Sequence, residues 1–171
     1  MTSYVALLRG VNLVGKSTLK MSDLKAIADD LELGNARTYI ASGNLLFTSG
    51  IAEEKLRRML EKELQEQMGK EVRVMLRTAE EMEAVARANP FSDQPGNRVQ
   101  AFFLNDAPPA DLIVRNKAED ERIATGSREV FVAYGIRGIG KSRLRIPAAE
   151  SGTARNMNTV AKLAELAMEM S

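Results

Sequence analysis

Residues 52–77, AEEKLRRMLEKELQEQMGKEVRVMLR, contain a helical pattern followed by a strand pattern. Charged residues surround a single apolar stripe at helical spacing, formed by Ala52, Leu56, Met59, Leu60, Leu64 and Met68. Residues 71–77 then alternate charged and apolar side chains, beginning with Glu71 and Val72, as is typical of a half-buried strand. The stretch therefore predicts one helix and one strand that each bury a single face.

The sequence before this stretch predicts a strand, a helix and a hairpin. Residues 4–9 (YVALLR) form a short apolar run that is typical of a buried strand. A helix follows in which Ser22 is the expected N-cap and Gly34 the expected stop, with Leu24, Ile27, Ala28 and Leu31 as its apolar positions. Residues 37–41 and 45–48 are rich in strand formers and flank a turn at Gly43.

The second half predicts a similar order of elements. Thr78 and Glu81 have the spacing of a capping box, which predicts a helix that ends at Asn89-Pro90. A strand is expected at 98–104, a short helix from Pro108-Pro109 to about 117, a hairpin of 122–125 with 129–134, and a last amphipathic helix at 156–170.

These patterns predict an α+β fold. Residues 4–77 run β-α-β-β-α-β, the order of a ferredoxin-like split β-α-β sandwich. We expect two such sandwiches packed together, each with an antiparallel sheet and its helices on one face. The predicted domains are 1–77, an N-terminal ferredoxin-like subdomain, and 78–171, a C-terminal α+β subdomain that ends in the last helix.

Composition excludes several kinds of chemistry. Among 171 residues, 44% are apolar and 27% charged, the formal net charge is +1, and there is no cysteine or histidine. Disulfides, thiolate nucleophiles, imidazole bases and the usual zinc ligands are therefore excluded, so no metal site and no cofactor are predicted. The apolar opening is too short for a signal sequence or a membrane span, so we expect a cytoplasmic protein with no membrane partner.

The sequence matches the phosphate-binding P-loop pattern twice. Gly10, Gly15, Lys16 and Ser17 form the first match, and residues 135–142 form the second. In a P-loop NTPase the Lys and Ser stand in the first turn of a helix on a parallel sheet, whereas here other residues intervene before any helical pattern. We therefore expect no NTPase activity. One reading is a strand-exit device used twice; a simpler reading is that the glycines adopt positive φ.

At these residues the chain resembles the family called domain of unknown function 1697. The likeness lies in residues 4–21 (YVALLRGVNLVGKSTLKM), 37–47 (RTYIASGNLLF), 139–144 (IGKSRL) and 153–166 (TARNMNTVAKLAEL). The resemblance implies an α+β fold in an uncharacterised cytoplasmic protein and implies no reaction. Three residues depart from the family's pattern, which tends to have Gly at Val14, Asn at Ser17 and an aromatic residue at Met157.

Polar residues concentrate in these segments and suggest an anion site. Guanidinium and ammonium groups beside turn N–H groups are suited to phosphate or carboxylate. We expect the two Gly-Lys-Ser loops and the start of the last helix to enclose one anion pocket. Its candidate residues are Arg9, Asn12, Lys16, Ser42, Asn44, Lys141, Ser142, Arg143, Arg155, Asn156, Asn158 and Thr159. The alternative is that the asparagines merely cap a helix and residues 42–44 merely form a turn.

Three classes of function remain open. The first is binding of a phosphorylated small molecule or nucleotide, the second is an enzyme acting on such a ligand, and the third is a protein-interaction module whose loops are only structural. Nucleic-acid binding is not favoured, because aromatic residues such as Phe102, Phe103 and Phe131 stand in apolar runs rather than on a polar strand face. The sequence leaves the oligomeric state open.

Overall fold

The computed structural model describes residues 1–9, 19–40 and 43–171 as an α+β fold with two four-stranded antiparallel sheets. The first half contains β1 (Thr2–Arg9), α1 (Met21–Asp30), β2 (Gly34–Thr38), β3 (Asn44–Ser49), α2 (Glu53–Met68), β4 (Arg73–Thr78) and α3 (Ala79–Arg87). The second half contains β5 (Val99–Phe103), β6 (Arg122–Thr125), β7 (Glu129–Ala133), β8 (Thr153–Asn156) and α4 (Met157–Glu169). The β-α-β-β-α-β order predicted for residues 4–77 is confirmed.

The first sheet has the strand order β2-β3-β1-β4, and one of its faces carries both α1 and α2. Alternate residues of β1 enter this core, where Tyr4 stacks on Phe47 with ring centroids 5.7 Å apart. The α2 stripe supplies Leu56, Leu60 and Leu64, which are fully buried. Burying one such leucine contributes roughly 1.5–3 kcal/mol, so the apolar stripe of residues 52–68 is a main source of this core's stability.

Helix ends agree with the sequence in part. The capping box is present, because Thr78 N donates to Glu81 Oε1 at 2.9 Å and Glu81 N donates to Thr78 Oγ1 at 3.1 Å. The prediction of Ser22 as the cap of α1 is wrong. The N-cap of α1 is Lys20, two residues earlier, and its backbone N donates to the Asp23 carboxylate at 3.1 Å. The same helix ends at Asp30, before the predicted Gly34.

The second sheet has the corresponding order β6-β7-β5-β8 but lacks helical crossovers. The predicted helix from Pro108 is wrong: residues 104–121 contain no helix, and Arg115 forms an isolated β-bridge with Arg145. Exposed, β-branched Ile113 and Val114 offer no apolar stripe to bury, which explains the extended conformation. The predicted hairpin is confirmed, whereas β8 was not predicted. The ferredoxin-like assignment stays a prediction for the first half and does not describe the second.

Irregular segments cover the face of the second sheet that corresponds to the helical face of the first. Val130, Val132 and Tyr134 on this face pack with Ile146 and Ala149, which follow β7 in the chain. Short 3-10 helices at Ile139–Lys141 and Pro147–Ala149 are the regular structure in this crossover. The second sheet therefore buries its apolar face under chain that contains no α-helix between β7 and β8.

Both sheets place a buried arginine directly before a helix N-cap. Arg77 precedes Thr78, lies opposite Val5 in β1 and is 1% exposed; Arg155 precedes Asn156, lies opposite Ala101 in β5 and is 7% exposed. Each donates through Nη1 to the carbonyl of the residue before it, at 2.9 Å in the first case and 2.8 Å in the second. The two halves therefore repeat a strand-arginine-cap-helix unit.

The described chain divides into two compact units. One consists of Met1–Glu83 and Leu163–Ser171, and the other of Ala84–Lys162. In the first unit the Ser171 hydroxyl donates to the Ser3 hydroxyl at 3.2 Å. The division into independent domains at 1–77 and 78–171 stays a prediction. Within the described ranges, no helix is both long and apolar enough to cross a membrane.

Candidate functional site

Arg9 ends the central strand β1 at one end of the first sheet. The neighbouring residue, Leu8, donates its backbone N–H to the carbonyl of Gly43 at 2.9 Å, which fixes the turn between β2 and β3 beside the end of β1. The start of α1 lies there too, because Lys20 and Met21 line a small cavity with Ile40 and Gly43. We call this group, formed by Arg9, Ile40, Gly43, Asn44 and Lys20–Met21, the Arg9 edge.

Ile40 and Gly43 have positive φ angles, and Asn44 is fixed by hydrogen bonds to Tyr39. Ile40 has φ +45°, which is costly for a β-branched residue, and Gly43 has φ +78°. Asn44 is fully buried; its Nδ2 donates to Tyr39 O at 3.1 Å, and its carbonyl accepts from Tyr39 N at 3.2 Å. Asn44 therefore joins the start of β3 to Tyr39, and the exposed Ile40 next to Tyr39 has a strained conformation.

A second arginine lies at the Arg9 edge that the sequence did not single out. Arg9 and Arg73 are directly opposite each other in the register of β1 and β4, so their side chains lie on the same face of the sheet. Like charges at directly opposite positions are unfavourable. Arg73 Nε donates to exposed Glu71 at 3.3 Å, which offsets part of this repulsion. Only the strand register, which sequence alone does not give, reveals the pair.

Three predicted site residues, Asn12, Lys16 and Ser42, lie outside the described residues. Asn44 lies opposite Leu7, two residues before Arg9, so both residues stand at the Arg9 edge; that they share an anion site stays a prediction. The hypothesis that both Gly-Lys-Ser loops enclose one pocket stays a prediction, because it depends on Lys16.

The second Gly-Lys-Ser loop is held by carboxylates of its own chain. Ile136 N donates to Asp120 Oδ2 at 2.9 Å, and a Cβ on Gly135 would lie 2.0 Å from that carboxylate. The prediction that the motif glycines adopt positive φ is wrong for Gly135 and Gly140; the residue with φ +76° is Gly138, inside the motif. The absence of a side chain at Gly135 therefore leaves room for the Asp120 carboxylate, whereas Gly140 has open space around it.

The three polar side chains predicted for this loop differ in their surroundings. The Ser142 hydroxyl donates to the carboxylate of buried Glu121 and accepts from Leu144 N at 3.2 Å. Glu121 also accepts from Ala118 N at 2.8 Å, so it joins two segments of the loop region. Lys141 and Arg143 are exposed. Ser142 thus serves the packing of the loop, and the lysine and arginine alone extend into solvent.

The four predicted residues around β8 and α4 also separate. Arg155 donates to Thr153 Oγ1 at 2.7 Å and to Ala154 O, and burial lowers its pKa to about 10. Asn156 accepts from Thr159 N at 3.0 Å and so caps α4, which agrees with the capping alternative. Because neighbouring strand residues alternate, Arg155 and Asn156 lie on opposite faces of the sheet.

Asn158 is exposed and covers the short 3-10 helix Gly96–Arg98. A Cβ on Gly96 would lie 2.1 Å from its Oδ1, so this glycine gives the asparagine room. Within residues 1–9, 19–40 and 43–171 there is no group of three or more acidic side chains that could hold a metal ion.

Comparison with known proteins supports the fold and the family. No curated protein matches the chain. The solved structure of the conserved bacterial protein SP0830 from Streptococcus pneumoniae is similar, with a TM-score of 0.78, 23% sequence identity, and coverage of 98% of this chain and 99% of that one. At this identity the likeness shows the fold alone. Residues 1–131 match a family that is described as protein of unknown function, and the chain therefore belongs to that family, DUF1697.

Proposed function

We propose that this protein binds a small molecule that carries a phosphate or another anionic group, and that the anion binds at the Arg9 edge. The observation that carries the proposal is the arrangement of Arg9 and Arg73 directly opposite each other, next to a glycine turn. An anion between two guanidinium groups relieves their mutual repulsion and accepts charge-assisted hydrogen bonds from both. The strain at Ile40 is consistent with a functional turn.

The start of α1 adds positive charge at the same end of the sheet, on the face opposite to the side chains of Arg9 and Arg73. Helix N-termini carry partial positive charge, and Lys20 at the N-cap of α1 adds an ammonium group, while the Asp23 carboxylate in the first turn offsets part of this charge. Gly43 is next to both the end of β1 and this helix start. We propose that Asn12, Lys16 and Ser42, which adjoin these elements in the sequence, supply the remaining donors.

Binding without NTP hydrolysis is the form of the proposal that the helix positions favour. Helix α1 begins at Met21, four residues after Ser17, so the lysine and serine of the first motif do not stand in its first turn. After the second motif the chain reaches Leu144 and Ile146 without entering an α-helix. Both sheets are antiparallel, whereas P-loop enzymes use parallel sheets.

Thermal shift measurements on the full chain test the proposal. The panel contains inorganic phosphate, nucleotides and sugar phosphates, with and without magnesium and at two salt concentrations. A ligand at 100 times its Kd stabilises a protein by about 2.7 kcal/mol, which is well within detection. We expect Arg9→Gln and Arg73→Gln to remove the stabilisation. Arg58→Gln is the matched control, because that side chain is 71% exposed on α2.

Two lysine variants then test whether both loops serve one ligand. If Lys16→Ala and Lys141→Ala both abolish binding, the loops act on the same molecule; loss from Lys16→Ala alone restricts the site to the Arg9 edge. The proposal is wrong if no member of the panel stabilises the protein, or if the Arg9 and Arg73 variants bind as the wild type does.

A further inference from the structure

A cavity in the second unit lies on the face of the sheet where the first sheet carries its helices. Its apolar walls come from strands and from the crossover between β7 and β8, and they consist of Phe102, Val132, Tyr134, Leu144, Ile146 and Ala149. Its volume is about 120 Å³. We call it the Tyr134 cavity, and it is separate from the Arg9 edge in residues and in composition.

The volume sets the size of a ligand. A cavity of about 150 Å³ lined by apolar side chains admits benzene, so 120 Å³ suits a compact body of about four to six carbons. A long chain or a fused ring system does not fit. Apolar walls with few polar groups are typical of small-molecule sites.

Two charged residues, Arg145 and Glu150, complete the lining and form an ion pair. Arg145 donates through Nε and Nη2 to one oxygen of Glu150, at 3.2 and 2.8 Å, and both side chains are more than half exposed. The β-bridge places Arg115 directly opposite Arg145, with backbone hydrogen bonds of 2.8 and 2.9 Å. Arg115, which does not line the cavity, thus places a second cation next to the pair of Arg145 and Glu150.

The Arg145 guanidinium also has N–H donors that its bonds to Glu150 do not use. In the part of the chain that the structure describes, its side-chain hydrogen bonds involve Nε and Nη2, so Nη1 can serve a second acceptor. A carboxylate that approaches the guanidinium in the bidentate geometry finds two N–H groups in one plane. Tyr134 completes the polar groups of the cavity: its hydroxyl donates to Gln100 Oε1 at 3.0 Å and can accept one hydrogen bond from a ligand.

We propose that the Tyr134 cavity binds a small monocarboxylate with a compact branched or cyclic apolar body, whose carboxylate pairs with Arg145. The apolar body occupies the space between Phe102 and Ile146, where it displaces weakly held water or fills empty volume. The carboxylate replaces or shares Glu150 as the partner of Arg145, next to the additional positive charge of Arg115.

Amide chemical shifts of the full chain, titrated with isovalerate, test this proposal. We expect saturable changes at residues 144–150. The neutral analogue 3-methylbutanol, which has the same carbon skeleton, should bind about threefold more weakly, because an ion pair with a guanidinium that is more than half exposed contributes roughly that factor. Arg145→Gln should weaken isovalerate binding by a similar factor. Arg143→Gln, an exposed arginine two residues away that does not line the cavity, should bind as the wild type does.

Two further variants make the outcome decisive. Ala149→Leu fills the cavity and should abolish binding; if this variant does not fold, the Arg145 and Arg143 pair decides. Glu150→Gln frees Arg145 and should strengthen binding. The proposal is overturned if isovalerate gives no saturable change, or if Arg145→Gln binds it as tightly as Arg143→Gln. Since Arg9→Gln should leave isovalerate binding intact, this test and that of the Arg9 edge can fail independently.

Discussion

Replacing Tyr134 by phenylalanine removes a hydroxyl whose ionisation is less favourable in the folded state than in the unfolded chain. Burial, together with the negative charge of Glu121, raises the pKa of Tyr134 to about 12 from an ordinary value of 10.0. The side chain is 8% exposed, so little solvent screens this effect. A raised pKa means that the folded state holds the phenolic proton more tightly than the unfolded chain does.

The sign and size of the effect on stability follow from this difference. The contribution of Tyr134 is fully present below pH 10 and is lost as the pH rises toward 12, because the unfolded chain ionises first. At pH 11 an unfolded tyrosine is roughly 90% ionised and the folded one roughly 10%, which lowers the free energy of unfolding by about 1.4 kcal/mol. The limit at higher pH is about 2.7 kcal/mol.

Urea unfolding at pH 8 and pH 11, followed by circular dichroism because the chain has no tryptophan, measures this loss. Other groups titrate in the same range, so the informative quantity is the difference between wild type and Tyr134→Phe. We expect the wild type to lose about 1.4 kcal/mol more than the variant between the two pH values. If both proteins lose stability in parallel, Tyr134 does not ionise with a raised pKa and the reasoning is refuted.

Three further changes test the packing. Leu60→Ala leaves a cavity in the first core and should lower the free energy of unfolding by about 2–5 kcal/mol in urea titrations, whereas exposed Lys62→Ala should change it by less than about 0.5 kcal/mol. Thr78→Ala removes the cap of α3 and should cost about 1 kcal/mol in the same assay. Gly152→Ala places a Cβ 2.4 Å from Phe103 O and should lower the Tm by several degrees, whereas Gly140→Ala, with nothing within 4 Å, should leave the Tm unchanged.

Much of the first half could be predicted because its patterns are periodic. The apolar stripe that includes Leu56, Leu60 and Leu64 is compatible only with a helix. In the strand that follows it, charged and apolar residues alternate. The apolar residues in the crossovers of the second half have no regular spacing. Around Pro108 the sequence offers a single helix signal, the proline pair, and that signal is not sufficient. Strand β8 was missed because its four residues run directly into α4.

The candidate site was predictable only where the chain itself brings residues together. The sequence predicts the hairpin in which Asn44 stands, whereas the position of Asn44 opposite Leu7 comes from the strand register. The pairing of Arg9 with Arg73 depends on the register of two strands that are far apart in sequence. Likewise, Asp120 and Glu121 contact the second Gly-Lys-Ser loop from a segment that is distant in sequence, and no local sequence pattern predicts these contacts.

The two sheets have the same strand order, but helices cover one and irregular segments cover the other. This difference affects which parts of the sequence can change within the family. A helix such as α2 keeps its apolar stripe only if its length and phase are conserved, so an insertion there misplaces every later core residue. The crossovers of the second sheet need to supply only a few apolar anchors, such as Ile146 and Ala149, and tolerate insertions far better. Relatives should therefore retain both sheets while the 104–121 and 134–152 segments drift in length, and chemical selectivity should change there first.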